Sequence, residues 1–234
     1  MRRLILVVEG PTEETFVKEV LAAHLYTAGF HAVGVRLMGS GRARANRGGV
    51  RRWESVRHDV LVHLKEDPGT IVGVLVDYYG MPDSWPGRSS AAAAPVESRS
   101  QHVERELVAD VARELGGDLH PLRFLPCVLM HEFEALLFSD PSAFAHAIGV
   151  PECATALEGV RAAFQTPEHI NDSPLTAPSK RIAALVPGYQ KPIMGTIAAL
   201  DIGLDVIRRE CAGFARWMAD LESAVLPSGG ANGT

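Results

Sequence analysis

The chain has 234 residues, 47% of them hydrophobic and 22% charged, with a net charge of −5. Those figures describe a globular protein able to bury a real core, and they exclude a polycation that sticks to nucleic acid through bulk charge. Cys127, Cys153 and Cys211 match no zinc spacing and are odd in number, so neither a disulfide framework nor a cysteine metal site is expected, and a reducing cytoplasm is the simplest setting.

Met1-Arg2-Arg3 before Leu4–Val8 imitates a signal peptide, but the apolar run stops at Glu9, too short for a secretory segment. No stretch approaches the roughly 20 apolar residues of a membrane span. Leu4–Val8 reads instead as a strand buried on both faces, followed by a turn at Glu9-Gly10 and a helix. Pro11 suits the first helical turn, Glu13 and Glu14 suit its positive dipole end, and Gly29 terminates it. His31–Met38 is a second strand.

Residues 39–49 form a Gly/Arg loop, and the stretch 42–52 holds Arg42, Arg44, Arg47, Arg51 and Arg52 without an acid. Such a patch on an acidic protein can meet phosphates, or it is simply a solvated loop. Residues 50–65 place Trp53, Val56, Val60, Leu61 and Leu64 at helical spacing, and Asp67-Pro68-Gly69 is a turn. Ile71–Val76 is a third strand, ended by Asp77. Residues 78–97 lack periodicity and read as a lid, a binding loop or a disordered segment. A helix over 98–115 leads to a fourth strand, Leu122–Met130, and then to the helix-like His131–Phe138.

Beyond this point helices dominate, over 141–148, 153–164, 178–186 and 203–225, with a polar loop at 170–176. The sequence thus predicts an α/β fold: a mainly parallel, Rossmann-like sheet with helices on both faces, plus a C-terminal helical extension. The expected division is an α/β domain over 1–140, a helical extension packed on it over 141–226, and a disordered tail over 227–234.

In parallel sheets the functional crevice lies outside the carboxyl ends of the strands. Glu9, Asp77 and the His131–Glu134 segment all follow apolar strands. If the first and third strands are neighbours, Glu9 and Asp77 share a crevice, where their repulsion favours a bound cation. Mg2+ or Mn2+ suits such carboxylates and would activate water against a phosphodiester. Read singly, each acid could merely cap the next helix.

Glu132 and Glu134 diverge by about 200° on a helix, so one of them faces the crevice, and the sequence does not say which. Gly10 and Thr12 open a helix whose N-terminus attracts anions. Lys180, in Ala177-Pro178-Ser179-Lys180-Arg181, and Lys191 are further phosphate-binding candidates, set against helix capping and ordinary solvation.

Val8-Glu9-Gly10-Pro11-Thr12-Glu13 resembles the first motif of Toprim domains, and Val74–Gly80 falls where those domains carry Asp-x-Asp. More closely, Asp77-Tyr78-Tyr79-Gly80, His131–Phe138, Asn171-Asp172 and Ala177–Arg181 resemble the bacterial domain of unknown function family 4276, over about residues 3–195.

The resemblance implies a Toprim-like fold, bound magnesium held by Glu9, Asp77 and Glu132 or Glu134, and kinship with overcoming-lysogenisation-defect nucleases. It also implies an ATPase partner in bacterial anti-phage defence. Glu9 or Glu134 would serve as general base, and Lys180, Lys191 and the arginine loop would contact nucleic acid. Tyr79 departs from the pattern: it stands where the second aspartate is expected, leaving Asp83 or a glutamate of 131–134 to complete the site. The rival readings are a non-catalytic module that binds nucleic acid or nucleotide and docks on an ATPase, and primase-like nucleotidyl transfer.

Overall fold

The computed structural model describes residues 2–39, 51–171 and 175–225. The expected arginine loop, with Arg42, Arg44 and Arg47, lies outside the described residues, as do Asp172, Ser173 and the 227–234 tail.

Four strands, β1 (Arg3–Val8), β2 (Ala32–Leu37), β3 (Thr70–Asp77) and β4 (Phe124–Leu129), form one parallel sheet in the order β2-β1-β3-β4. The α/β expectation is met. The two central strands explain why their sequences are continuous apolar runs: every residue of β3 is buried, as are Leu4–Val8 of β1.

Successive side chains point to opposite faces. Leu4, Leu6, Val8, Ile71, Leu75, Leu125, Cys127 and Leu129 enter one apolar cluster. Val7, Val72, Val74, Val76, Phe124 and Val128 enter the other.

The second cluster is closed by α3 (Trp53–Glu66), α4 (Arg88–Ala91) and α5 (Val96–Glu114). The first is closed by a helical run that follows β1 and by the C-terminal helices. That run comprises α1 (Pro11–Phe16), a π-helical turn (Val17–Leu21) and α2 (Ala22–Ala28), and it ends on Gly29 at φ 116°. The C-terminal set comprises α6 (Pro141–Ala147), α7 (Ala154–Ala162), α8 (Pro178–Leu185), α9 (Thr196–Ile202), α10 (Leu204–Glu210) and α11 (Ala212–Ser223). Their apolar side chains, Phe144, Ala199, Phe214 and Trp217 among them, lie in one cluster with Leu4, Leu6 and Leu75.

Three local readings need correcting. Residues 78–97 are not a structureless loop: Tyr78, Met81, Trp85 and Ala91 are buried, and the Trp85 indole N–H donates to the Arg51 carbonyl. The expected single helix over 203–225 breaks at Cys211, whose extended backbone separates α10 from α11. A π-helical turn at Lys191–Gly195 runs straight into α9, a helix the sequence reading did not foresee; Pro192 lies in its first turn, where proline is tolerated. Among the described residues no helix is long and apolar enough to cross a membrane.

Candidate functional site

Register decides what stands at the carboxyl edge of the sheet. β1 and β3 are direct neighbours, Val8 lies across from Leu75, and Asp77 lies across from Leu129 of β4. Strands pair about 4.8 Å apart, so Glu9 and Asp77 leave the same end of adjacent strands. The Asp77 backbone N–H reaches the Glu9 carboxylate and helps to lower its pKa.

A third acid comes from α1. Glu13 occupies the third helical position, from which a side chain folds back over the turn before its helix. Its Oε2 lies only 3.2 Å from where a Cβ on Gly10 would sit, so glycine leaves the room that this carboxylate uses. Glu13 is buried. The sequence reading gave it only a dipole role; the Gly10-to-Glu13 spacing was the signal that could have placed it.

The fourth acid is Glu134. After β4 the chain turns through His131, the one non-glycine among the described residues with positive φ, at 70°. A 3-10 helix, Phe133–Ser139, follows with every residue buried. Glu134 is 0% exposed.

Glu132 goes elsewhere. It adopts an extended backbone, and its Oε2 accepts the Ser179 N–H at 2.9 Å, capping α8. That contact bears on two open alternatives. Of the two glutamates, Glu134 joins the other acids while Glu132 is committed to a helix end. The α8 N-terminus, a candidate for either phosphate binding or capping, is served by a carboxylate. Lys180 is exposed on that helix and has no ion pair with the acids.

One cation sits among the four acids. The Lys191 ammonium lies 3.0 Å from Glu134 Oε2, 3.5 Å from Asp77 Oδ2 and 3.7 Å from Glu13 Oε1. The π-helical turn that opens the unforeseen helix is what delivers it.

Electrostatics follow from burial. Desolvation, then Glu13, push the Glu9 carboxyl up to about 7, against Lys191 and the Asp77 N–H. Burial raises Asp77 well above the ordinary aspartate range, and it raises Glu134 too, with Lys191 opposing both. Burial alone would lower Lys191, but Asp77, Glu134 and Glu13 reverse that and hold it charged. Glu9 Oε2, Asp77 Oδ1 and Glu134 Oε1 are buried with no hydrogen-bond partner among the described residues. Among the described residues one ammonium faces four carboxyl groups, three of them held toward the neutral form by burial.

Tyr79 does not replace the missing aspartate. Its N–H donates to the His131 carbonyl, and its ring lies 6.3 Å from the His131 ring, beside a separate cavity. Asp83 is 83% exposed and lies 3.8 Å from Arg88, so it does not complete the acidic cluster. Thr12 is buried in the first turn of α1.

The donor set is all hard oxygen, which suits Mg2+ or Mn2+ rather than zinc. As the side chains stand, no three His, Cys, Asp or Glu among the described residues are grouped to hold a metal. The Lys191 ammonium takes the middle position.

These features define a parallel α/β protein with a buried, lysine-centred acidic cluster at the carboxyl edge of its sheet. The chain belongs to the family described as "Domain of unknown function (DUF4276)", which matches residues 8–222. No curated protein matches. Among solved structures, the C-terminal region of the Burkholderia pseudomallei OLD protein is similar at 16% sequence identity, covering 95% of this chain and 98% of that one, with a TM-score of 0.48.

Proposed function

We propose that the protein is a Mg2+- or Mn2+-dependent nuclease that hydrolyses phosphodiesters in DNA or RNA. The observation that carries this reading is the convergence of Glu9, Glu13, Asp77 and Glu134 around a single ammonium, with carboxylate oxygens left unpartnered in the interior. Charge so poorly balanced is costly in a folded protein and favours a divalent cation.

Glu9 and Asp77 would hold the metal, with Glu134 in support. The bound ion would polarise a phosphoryl oxygen and make water a better nucleophile. Glu9 or Glu134 would accept a proton from that water. Lys191, kept protonated by its neighbours, would bind a non-bridging phosphate oxygen once the metal takes over the carboxylates. Its motif likeness to Toprim proteins that accompany ATPases in bacterial defence islands extends the reading to an ATPase partner in anti-phage defence.

A second reading keeps the fold and drops the catalysis: a nucleic-acid- or nucleotide-binding module that docks on an ATPase. Tyr79 in place of an acid favours it, and so does a lysine that already serves as counter-ion.

Cleavage of supercoiled plasmid and of single-stranded RNA, with a candidate ATPase partner supplied in parallel reactions, separates the two. The nuclease reading expects Mn2+-dependent cleavage that falls at least about 100-fold in Glu9→Gln and Asp77→Asn. Equal cleavage by parent and variants would remove these residues from any catalytic role.

A further inference from the structure

Next to the acidic cluster lies a cavity of about 600 Å3, lined by Tyr78, Tyr79, Arg88, Arg99, His131 and Asn171 among others. Its character is opposite to that of the cluster: among the described residues two guanidinium groups and no carboxylate line it. Its walls are fixed by the sheet. The Tyr78 N–H donates to the Leu129 carbonyl at 2.9 Å and the Tyr79 N–H to the His131 carbonyl at 3.0 Å, so the β3–β4 pairing continues past Asp77. Tyr79 is two residues from Asp77, which keeps their Cα atoms within about 8 Å.

The arginines are held but not used up. Arg88 lies flat on the buried Tyr78 ring, its carbon 4.0 Å from the centroid, and one amino group donates to the Tyr78 hydroxyl at 3.2 Å. Its nearest acid, the exposed Asp83, is 3.8 Å away, and its buried Nε has no partner among the described residues. Arg99 donates from Nε to the Ala94 carbonyl at 2.9 Å and from one amino group to the Ala92 carbonyl at 3.3 Å. A guanidinium carries five N–H donors, so most of this one's capacity remains. Two braced guanidinium groups with spare donors suit a phosphate, and an aromatic wall suits a base.

We propose that this cavity is a nucleotide subsite: Arg88 and Arg99 take a phosphate, and a base packs against Tyr79 and His131. This deepens the nuclease reading and rests on it for the source of the ligand, since a nucleotide lodged here would lie beside the acids that hold the metal. Tyr79, absent from the metal site as an acid, then has a position in substrate recognition. The shared chemistry is a nucleoside 5′-phosphate, free or within a strand.

Calorimetric titration of the whole protein in EDTA with AMP, adenosine, inorganic phosphate and a five-residue oligoadenylate tests the subsite. AMP should bind at least ten-fold tighter than adenosine or phosphate. Arg99→Gln and Tyr79→Leu, each checked for an unchanged melting temperature, should each weaken AMP at least ten-fold. Oligoadenylate binding tighter than AMP assigns the subsite to a strand; equal binding assigns it to a free or terminal nucleotide. Should one variant misfold, the other decides. AMP binding no tighter than adenosine, or folded variants that bind like the parent, would overturn the proposal. Because metal is absent throughout, failure of Mg2+ uptake elsewhere sinks the enzyme without touching this site, and failure here leaves the metal centre standing.

Discussion

Lys191 and the four acids around it show how a few ångströms set chemistry. An ammonium 3.0 to 3.7 Å from three carboxylates is attracted strongly where water is scarce. Its side chain keeps 35% exposure, so the attraction is partly screened. Removing it strands buried negative charge. Lys191→Met, which keeps the length of the stem, should cost about 1–3 kcal/mol of stability, less than breaking a fully buried pair. Urea titration measures this, and millimolar Mg2+ should recover more stability in the variant than in the parent. A variant as stable as the parent, with or without metal, would mean that the acids need no counter-ion.

Of these five residues the sequence exposed Glu9 and Asp77 well, because each ends an apolar run. Glu134 was one of a pair that could not be separated, since the 3-10 helix and the left-handed His131 that aim it are not periodic signals. Lys191 was legible as a cation but not as the partner of the acids, because the pairing spans 57 residues of chain to Glu134 and more than a hundred to Asp77 and Glu13.

At the scale of elements, the exposed side of β4 is managed by a carboxylate. β4 is an edge strand, and Glu104 from α5 accepts the Val128 N–H at 3.0 Å while pairing with Arg216 of α11 at 2.7 Å. Such cover satisfies an edge donor and discourages pairing with another sheet.

Burial raises the Glu104 carboxyl, with the Val128 N–H and Arg216 opposing. The folded chain holds this proton more tightly than the unfolded chain, so its contribution to stability shrinks as pH rises through and above the ordinary glutamate value. Glu104→Gln keeps an acceptor and removes the titration. Its melting temperature should therefore gain on the parent as pH rises through and above the ordinary glutamate value. A constant gap across that range would contradict the assignment.

These side-chain ties between distant elements left no mark in the local pattern, whereas the elements themselves did. The four strands and the helices over 53–66 and 96–114 follow apolar periodicity closely, and the misread stretches are those where successive turns over 78–97, the π-helical turn at Lys191–Gly195 and a single extended residue at Cys211 interrupt it.

Across the whole molecule, the last helix is fastened to the centre of the sheet through a missing side chain. A Cβ on Gly73, mid-β3, would come 2.6 Å from Leu6 Cδ2, 3.1 Å from the Leu125 carbonyl oxygen and 3.7 Å from Trp217 of α11. The Trp217 indole N–H donates to that same Leu125 carbonyl at 3.0 Å. Gly73→Ala should therefore overpack the junction and cost about 1–3 kcal/mol in a urea melt. A neutral effect would show the packing there to be loose.

The parallel sheet and its two covered faces were foreseeable from alternating strands and helices; the strand order was not. Nor was the placement of α11 along β4 with Trp217 over Gly73 of β3, because a glycine in a strand does not announce what fills the space above it.

The account depends most on whether the carboxyl edge of β1 and β3 takes up a divalent ion. Calorimetric titration of the chelator-treated chain with Mn2+ and with Mg2+ measures that directly. The parent should bind saturably, with Glu9→Gln and Asp77→Asn weakened at least about 10-fold at unchanged melting temperature. No saturable uptake by the folded parent, or uptake that both variants retain in full, would contradict it.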